Sequence, residues 1–507
     1  MQLSGIYLPF SDTLDIDANR ELHAHARQLL ETPLLGVTDI IPGYTNLYIE
    51  FDADVLTEQK VLEWADTYGQ ANESYSRTNL VEIPTHFDGE DLPHVAAQTG
   101  LSEAEVIERF SATTYHVYAV GFTPGFPFMG EVDTSLQLPR RGKPRQRVPA
   151  NTVAIANAQA GIYPLTTPGG WHLLGTSLTP LYDLSREKAL LLEPGDSVNF
   201  ISSDEQPKPK DVEGLELLPK NPDHPCLKVV QPGLTDIIVD VGRFMAGRFG
   251  FGRGGALDAP LASLANKLVG NTAATPLIEM TLTGSTFEIL RAGVLAVTGR
   301  ALLPVLNGLE LEPFTSFAVR RGDVLSFKPQ PTGSRSYLAV AGGVACNTFM
   351  GSASVDLRSK LGRALETGDV VGTAKKTSVR AGRRFVPYKK EEETVTLRLL
   401  KGPQFNPDAA AALTKNVFRV GRANRMGIQF EGDSVPGGEV ISEATPLGAL
   451  QITSSGLPLL LLHDRGTLGG YSKPATLHPA DLAGAAQLRL GQAVRFTYQP
   501  SAGITAH

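Results

Sequence analysis

The sequence predicts a mainly β chain, with a small α+β domain at the N-terminus and several small barrels after it. Three observations predict it. The 51 glycines and 35 prolines cut the chain into short apolar runs, because Gly supplies unusual backbone angles and Pro removes a donor. A Gly-Asp/Gln step followed by an alternating run that ends in Phe occurs three times, at Gly195 to Phe200, Gly322 to Phe327 and Gly491 to Phe496. Alternation puts the Val or Leu and the Phe on one face of a closing strand. Gly-Gly-aromatic loops precede the first and last copies, Gly169-Gly170-Trp171 and Gly469-Gly470-Tyr471.

A chain of 507 residues divides into about three or four domains by length. Residues 1–83 alternate strand (5–8, 35–41, 46–51) with amphipathic helix (19–30, 57–68), Leu22, Ala26, Leu29 and Leu30 sharing a face. Asp17, Asn19 and Thr57 are capping candidates. His23 and His25, two apart on a helix, read as surface residues rather than a metal pair. Helices at 92–97 and 102–110 open the next domain, Ser102 and Glu105 forming a capping box. Residues 84–203 make a first barrel, 204–225 a polar linker, 226–390 a second barrel and 391–507 a third. Gly250, Gly252 and Gly255 match a dinucleotide-binding glycine pattern, but no strand leads into them and no βαβ periodicity surrounds them; the pattern is rejected.

A net charge of -7 argues against nucleic-acid binding. Arg140, Arg141, Lys143, Arg145 and Arg147 form the basic stretch, either a solvated run or an anion-binding rim loop. Two cysteines give neither a disulfide framework nor zinc spacing, which favours a reducing compartment. The N-terminal residues do not read as a signal peptide, and the most apolar run, 457–462, is too short to span a bilayer. A cytoplasmic protein without membrane contact is expected.

No metalloprotease, nucleophile-elbow, zinc or biotin-acceptor motif is present, and no metal site is expected. Asp464, Thr467, Tyr471 and Lys473 follow an apolar strand and are the catalytic candidates: a carboxylate, hydroxyls and an ammonium there would orient an amide or acyl phosphate. A turn ion pair of Asp464 with Arg465 or Lys473 explains them as well. Arg243, Asp258, Asn266 and Glu279 flank the glycine-arginine loop, and helix capping explains Asp258 equally. Gly125, Phe126, Gly169, Gly170, Trp171, Gly469 and Gly470 are expected to shape a substrate or nucleotide site. Arg140 and Arg145 would hold a carboxylate or phosphate in a cleft shared with Asp464 and Lys473.

The motifs GFTPGFPFMG, LPRRGKPRQRVPANTVAIA and IYPLTTPGGWHLLG resemble the allophanate hydrolase subunit 1 family. DVGRFMAGRFGFGRGGALD, GSASVDLRSKLGRALETGD, NRMGIQF and DRGTLGGYSK resemble subunit 2. The resemblance implies cyclophilin-like barrels, one in the first half and two in the second. It implies a fused subunit of ATP-dependent 5-oxoprolinase, converting 5-oxoproline to glutamate with a LamB/YcsF-type partner and using ATP with Mg as its counter-ion. A biotin-dependent carboxyltransferase acting on urea or a similar amide is the alternative, though the chain has no biotin site of its own. A non-catalytic regulator of a sensor kinase is the third reading, and a homo-oligomer is possible. The sequence departs from the family pattern at Thr85 to Gly89, Phe110, Val239, Gly466 and Ser472.

Overall fold

The computed structural model describes residues 2–69, 79–208, 211–386, 394–499 and the strand Thr505–Ala506. In the N-terminal unit, strands Leu3–Pro9, Val37–Pro42 and Asn46–Asp52 pair antiparallel, and Thr505–Ala506 adds in parallel to the first. Alternation sends Leu47, Ile49 and Phe51 into a core with Leu22, Leu29 and Trp64 of helices Ile16–Glu31 and Glu58–Tyr68. Tyr48 and Glu50 therefore point to the opposite face, which the first barrel and the second half of the chain cover together. Asp15, rather than Asp17 or Asn19, caps the first helix, accepting from the amides of Asp17 and Ala18 at 2.9 Å.

Two closed seven-stranded barrels share one strand order. In each, the first strand (Leu80–His86; Thr394–Lys401) pairs in parallel with the last (Ser197–Ser202; Ala493–Tyr498). The last strand then pairs antiparallel with the second (Tyr115–Val120; Val417–Ala423). A two-stranded ribbon accompanies each barrel: Arg145–Val148 with Thr167–Gly169, and Glu439–Ala444 with Leu468–Tyr471. The Gly-Gly-aromatic loops thus occupy equivalent places on related folds. Val198 and Phe200, and likewise Val494 and Phe496, are buried in their barrel cores, as the repeated ending requires.

The middle unit corrects the expectation of a third barrel. It is two sheets, of six and five strands, enclosing one core with Val229, Phe287 and Leu325 from one sheet and Ile278, Val297 and Leu338 from the other. Helix Ala259–Leu268 packs on the five-stranded sheet. The 83/84 boundary falls inside the strand Leu80–His86. The expected linker is partly built in: Leu215 bridges Leu361, and Leu217 is fully buried in the middle core. Of the second linker, Arg384 bridges Thr315, and 387–393 lie outside the described residues. Phe110, where the family pattern has histidine, packs against Phe87, Tyr115 and Phe200 in the first barrel. Among the described residues no helix is long and apolar enough to cross a membrane.

His23 is buried, not on the surface, because its helix lies against the strand Tyr115–Val120. Its Nε2 is 3.0 Å from the Tyr118 carbonyl, and His116 Nε2 is 2.7 Å from Asn19 Oδ1. Burial, then His116 and Arg27, lowers His23 to about 3; burial, then Arg20, lowers His116 to about 4. A histidine depressed in the fold binds its proton more readily when unfolded, so it removes stability as pH falls below about 6.5. Asp39, Asp236, Asp258 and Asp464, each raised to about 6 chiefly by burial, act in the opposite sense over that range. A difference measurement isolates the histidine. His116→Gln should gain about 2 kcal/mol on the parent between pH 7 and 4.5, read by denaturant titration. A pH-independent gap would refute the assignment.

Candidate functional site at the junction of the halves

Loops far apart in sequence meet at one buried junction. Gly125 N donates to Phe249 O at 3.0 Å, and Gly254 N to His463 O at 3.2 Å. Two glycines permit this approach. A Cβ at Gly250, which has φ +85°, would lie 2.4 Å from Thr123 O, and one at Gly252 would lie 2.9 Å from His463 O. Arg358 donates to Phe122 O at 2.5 Å, with its guanidinium 5.4 Å from the Phe122 ring centroid. Gly466 packs against the Phe122 backbone, where a Cβ would be 3.1 Å from its oxygen. The outward face of the N-terminal sheet closes one side. Gly247 N donates to Asp39 Oδ2 at 3.0 Å and Arg253 Nη1 to Glu50 Oε1 at 2.6 Å, while Arg465 Nη2 stands 3.8 Å from Glu50 Oε2.

A chain of buried charges runs through the junction. Arg425 clamps both oxygens of Asp464, at 2.8 and 3.0 Å, and reaches Glu279 Oε1 at 2.5 Å. Glu279 Oε2 accepts from the Tyr337 hydroxyl at 2.9 Å and the Leu257 amide at 3.0 Å, with Arg335 Nε 3.7 Å from Oε1. Burial works to raise Glu279, but Arg425 and Arg335 hold it below its ordinary value. Burial wins at Asp464 and pushes it up to about 6, despite Arg425. Arg243 donates to Ser354 O at 2.7 Å and Phe349 O at 3.3 Å. Among the described residues, Arg243 Nη1, Arg465 Nη1, His463 Nδ1, Thr123 Oγ1 and Thr467 Oγ1 are buried without a partner. Buried polar groups are nearly always satisfied, by protein, water or ligand. Water or a bound molecule would meet the requirement of these five atoms.

Residues 1–192 match the family model "Carboxyltransferase domain, subdomain C and D", and residues 249–498 match "Carboxyltransferase domain, subdomain A and B". The B component of 5-oxoprolinase from Escherichia coli O157:H7 is 34% identical over 206 residues, 40% of this chain and 94% of that protein. The C component of 5-oxoprolinase from E. coli K12 is 32% identical over 284 residues, 53% of this chain and 90% of that protein. The chain belongs to the family of the 5-oxoprolinase B and C components. It carries counterparts of both in one polypeptide. The same joined arrangement is present in the crystal structure of TTHA0988, 48% identical with a TM-score of 0.94 over 98% of this chain and 100% of that one.

The B-like half and the C-like half contribute unequally to the junction. From the C-like half, Arg243, Glu279 and Asp464 share its charge network. Asp258 adjoins it, since its amide donates to the Tyr337 hydroxyl at 2.7 Å. It also caps its helix, accepting from Leu261 N at 3.2 Å, and Gln487 donates to it at 2.9 Å. Asn266 stays apart, bonding Thr275 O and Asn271 in the turn after that helix. Thr467 lies at the edge of the junction. Gly469 and Tyr471 pair with Glu443 and Glu439 in the ribbon, and Gly470 lies between them. Lys473 is 2.8 Å from Glu443 Oε1, in a separate buried cluster with Gln404 and Asn46.

In the B-like half, Gly125 reaches the junction directly. Phe126 and Trp171 lie in the aromatic packing beneath it, ring centroids 5.6 Å apart, with Gly169 against the Tyr163 hydroxyl. Gly170 accepts from the Arg141 amide at 2.9 Å. Arg145 is held by Glu90 and Asp91 at the first barrel's rim, and Arg140 lines an exposed pocket to which the C-like half contributes no residue. The expected cleft between these arginines and Asp464 is not built: Arg425, from the C-like half, is the cation on Asp464. Sequence reasoning missed Arg425, Arg335, Arg358, Arg253, Glu50 and Glu443. Arg425, Arg358 and Arg253 sat inside quoted motifs, NRMGIQF, GSASVDLRSKLG and DVGRFMAGRFGFGRGGALD, whereas nothing in the alternating strand around Glu50 marks it.

Proposed function

We propose that the chain is a fused B and C component of an ATP-dependent 5-oxoprolinase, opening the lactam of 5-oxoproline to glutamate with a LamB/YcsF-type partner. What carries the reading is the meeting of family motifs from both halves on one buried junction that retains unpartnered donors. In this reading a free Nη1, of Arg243 or of Arg465, holds the substrate carboxylate, a task suited to guanidinium. Asp464, poised near neutrality, manages the ring N–H proton. ATP, with Mg as counter-ion, is a co-substrate that drives ring opening. A carboxyltransferase acting on a urea-like nitrogen is the second reading, favoured by the description of both family models; it needs separate biotin-bearing partners.

The purified chain should show negligible 5-oxoproline-dependent ATP hydrolysis until a LamB/YcsF-type protein is added. In the reconstituted system Asp464→Asn should reduce turnover roughly 10²-fold or more, while Glu279 continues to pair Arg425 and limits the change in melting temperature. Full turnover by the lone chain, or normal turnover in the variant, would sink the proposal.

A further inference from the structure

The pocket at the first barrel's rim has no place in the junction chemistry. It is a hollow of about 480 Å³ lined by Arg140, Arg141 and Lys143 of one loop, His94 and Gln98 of the helix Leu92–Thr99, and His172 of the strand His172–Ser177. The volume falls within the usual range of small-molecule sites. Its walls hold three permanent cations and no carboxylate, on a chain whose net charge is -7.

The pocket is braced from behind. Asp91, buried, accepts from the Leu173 amide at 2.8 Å and from Arg145 Nη2 at 2.8 Å, and also bonds Arg141. Burial works to raise Asp91, but Arg145, the Leu173 amide and Arg141 hold it below its ordinary value. One carboxylate thus fixes both ends of the basic loop to the barrel. Among the described residues Arg140 and Lys143 join no ion pair, so their charges are open to a ligand. His172 packs into the pocket wall. It is 4% exposed, its Nε2 donates to Pro139 O at 2.9 Å, and its ring stacks on His94 at 5.6 Å. Its Nδ1 has no partner among the described residues. Three cations in the walls with no carboxylate among them favour a multiply charged anion, as phosphorylated molecules are.

We propose that this pocket is a binding site for the polyphosphate group of a small phosphorylated ligand, held by Arg140, Lys143 and the exposed edge of Arg141. The site is distinct from the junction and does not rest on the 5-oxoprolinase reading. A nucleoside triphosphate and inorganic triphosphate share this chemistry. Titration calorimetry of the full chain with ATP and with inorganic triphosphate separates them: equal affinities assign the phosphates alone, and tighter ATP binding adds the nucleoside. Submillimolar binding of triphosphate is expected, weakening as salt is raised. The double charge reversal R140E/K143E, at exposed positions, should weaken it at least 10-fold, about 1.4 kcal/mol. If that variant melts abnormally, the salt series on the parent decides instead. Absence of triphosphate binding, binding insensitive to salt, or unchanged affinity in a normally folded variant would overturn the site.

Discussion

Glu279→Ala should lower the stability of the second half by about 3–5 kcal/mol, the usual cost of removing one partner from a buried ion pair. Glu279 is fully buried and serves four neighbours: Arg425, Arg335, the Tyr337 hydroxyl and the Leu257 amide. Its loss leaves two guanidinium groups sharing Asp464, whose proton affinity is already raised by burial. It also frees the Leu257 amide, next to the Asp258 cap of the helix Ala259–Leu268. Glu279→Gln keeps the volume and an acceptor but not the charge, so it should cost less than alanine and still destabilise. The check is the unfolding midpoint of both variants and hydrogen exchange along 257–268. A midpoint unchanged in Glu279→Ala would mean that water replaces the carboxylate and that the junction is looser than its geometry indicates.

The barrel endings and the Gly-Gly-aromatic loops were legible because they are local. A turn glycine followed by strict alternation identifies a closing strand without knowledge of what it pairs with. The two complete copies are equivalent strands in matching barrels. The third copy, Gly322 to Phe327, has the same local grammar, yet its strand Val324–Pro329 belongs to an open six-stranded sheet. Local pattern does not determine closure. The junction was hidden for the opposite reason. Arg425 and Glu279 are 146 residues apart and Arg253 and Glu50 are 203 apart. A lone charge in a strand reads as solvent-facing until the segment that covers it is known. The same covering explains His23, polar on a helix yet sealed against a barrel.

Lys473→Met should cost about 3 kcal/mol, again by leaving a buried charge uncompensated. Asp464 and Lys473 follow one strand in sequence, but the ribbon carries Lys473 away to Glu443, which lies on the neighbouring strand Glu439–Ala444. The Lys473 side chain is fully buried, and Glu443 also accepts from Gln404 at 2.6 Å and Asn46 at 2.9 Å. Burial lowers the ammonium's proton affinity, and Glu443 works against that lowering. Methionine matches the length of the stem and removes only the charge, so the loss reports the pair rather than a cavity. Glu443→Gln should be damaging in the mirror sense, leaving the ammonium alone. The double variant restores neutrality, so its loss should fall well short of the sum of the two singles. Turnover in the reconstituted system then separates the two roles of Lys473. A structural lysine predicts that activity recovers with the melting temperature in the double variant. A lysine that stabilises charge on the reacting carbonyl predicts that the double variant folds but stays about 10²–10³-fold slow, and that outcome would reinstate Lys473 as a catalytic residue.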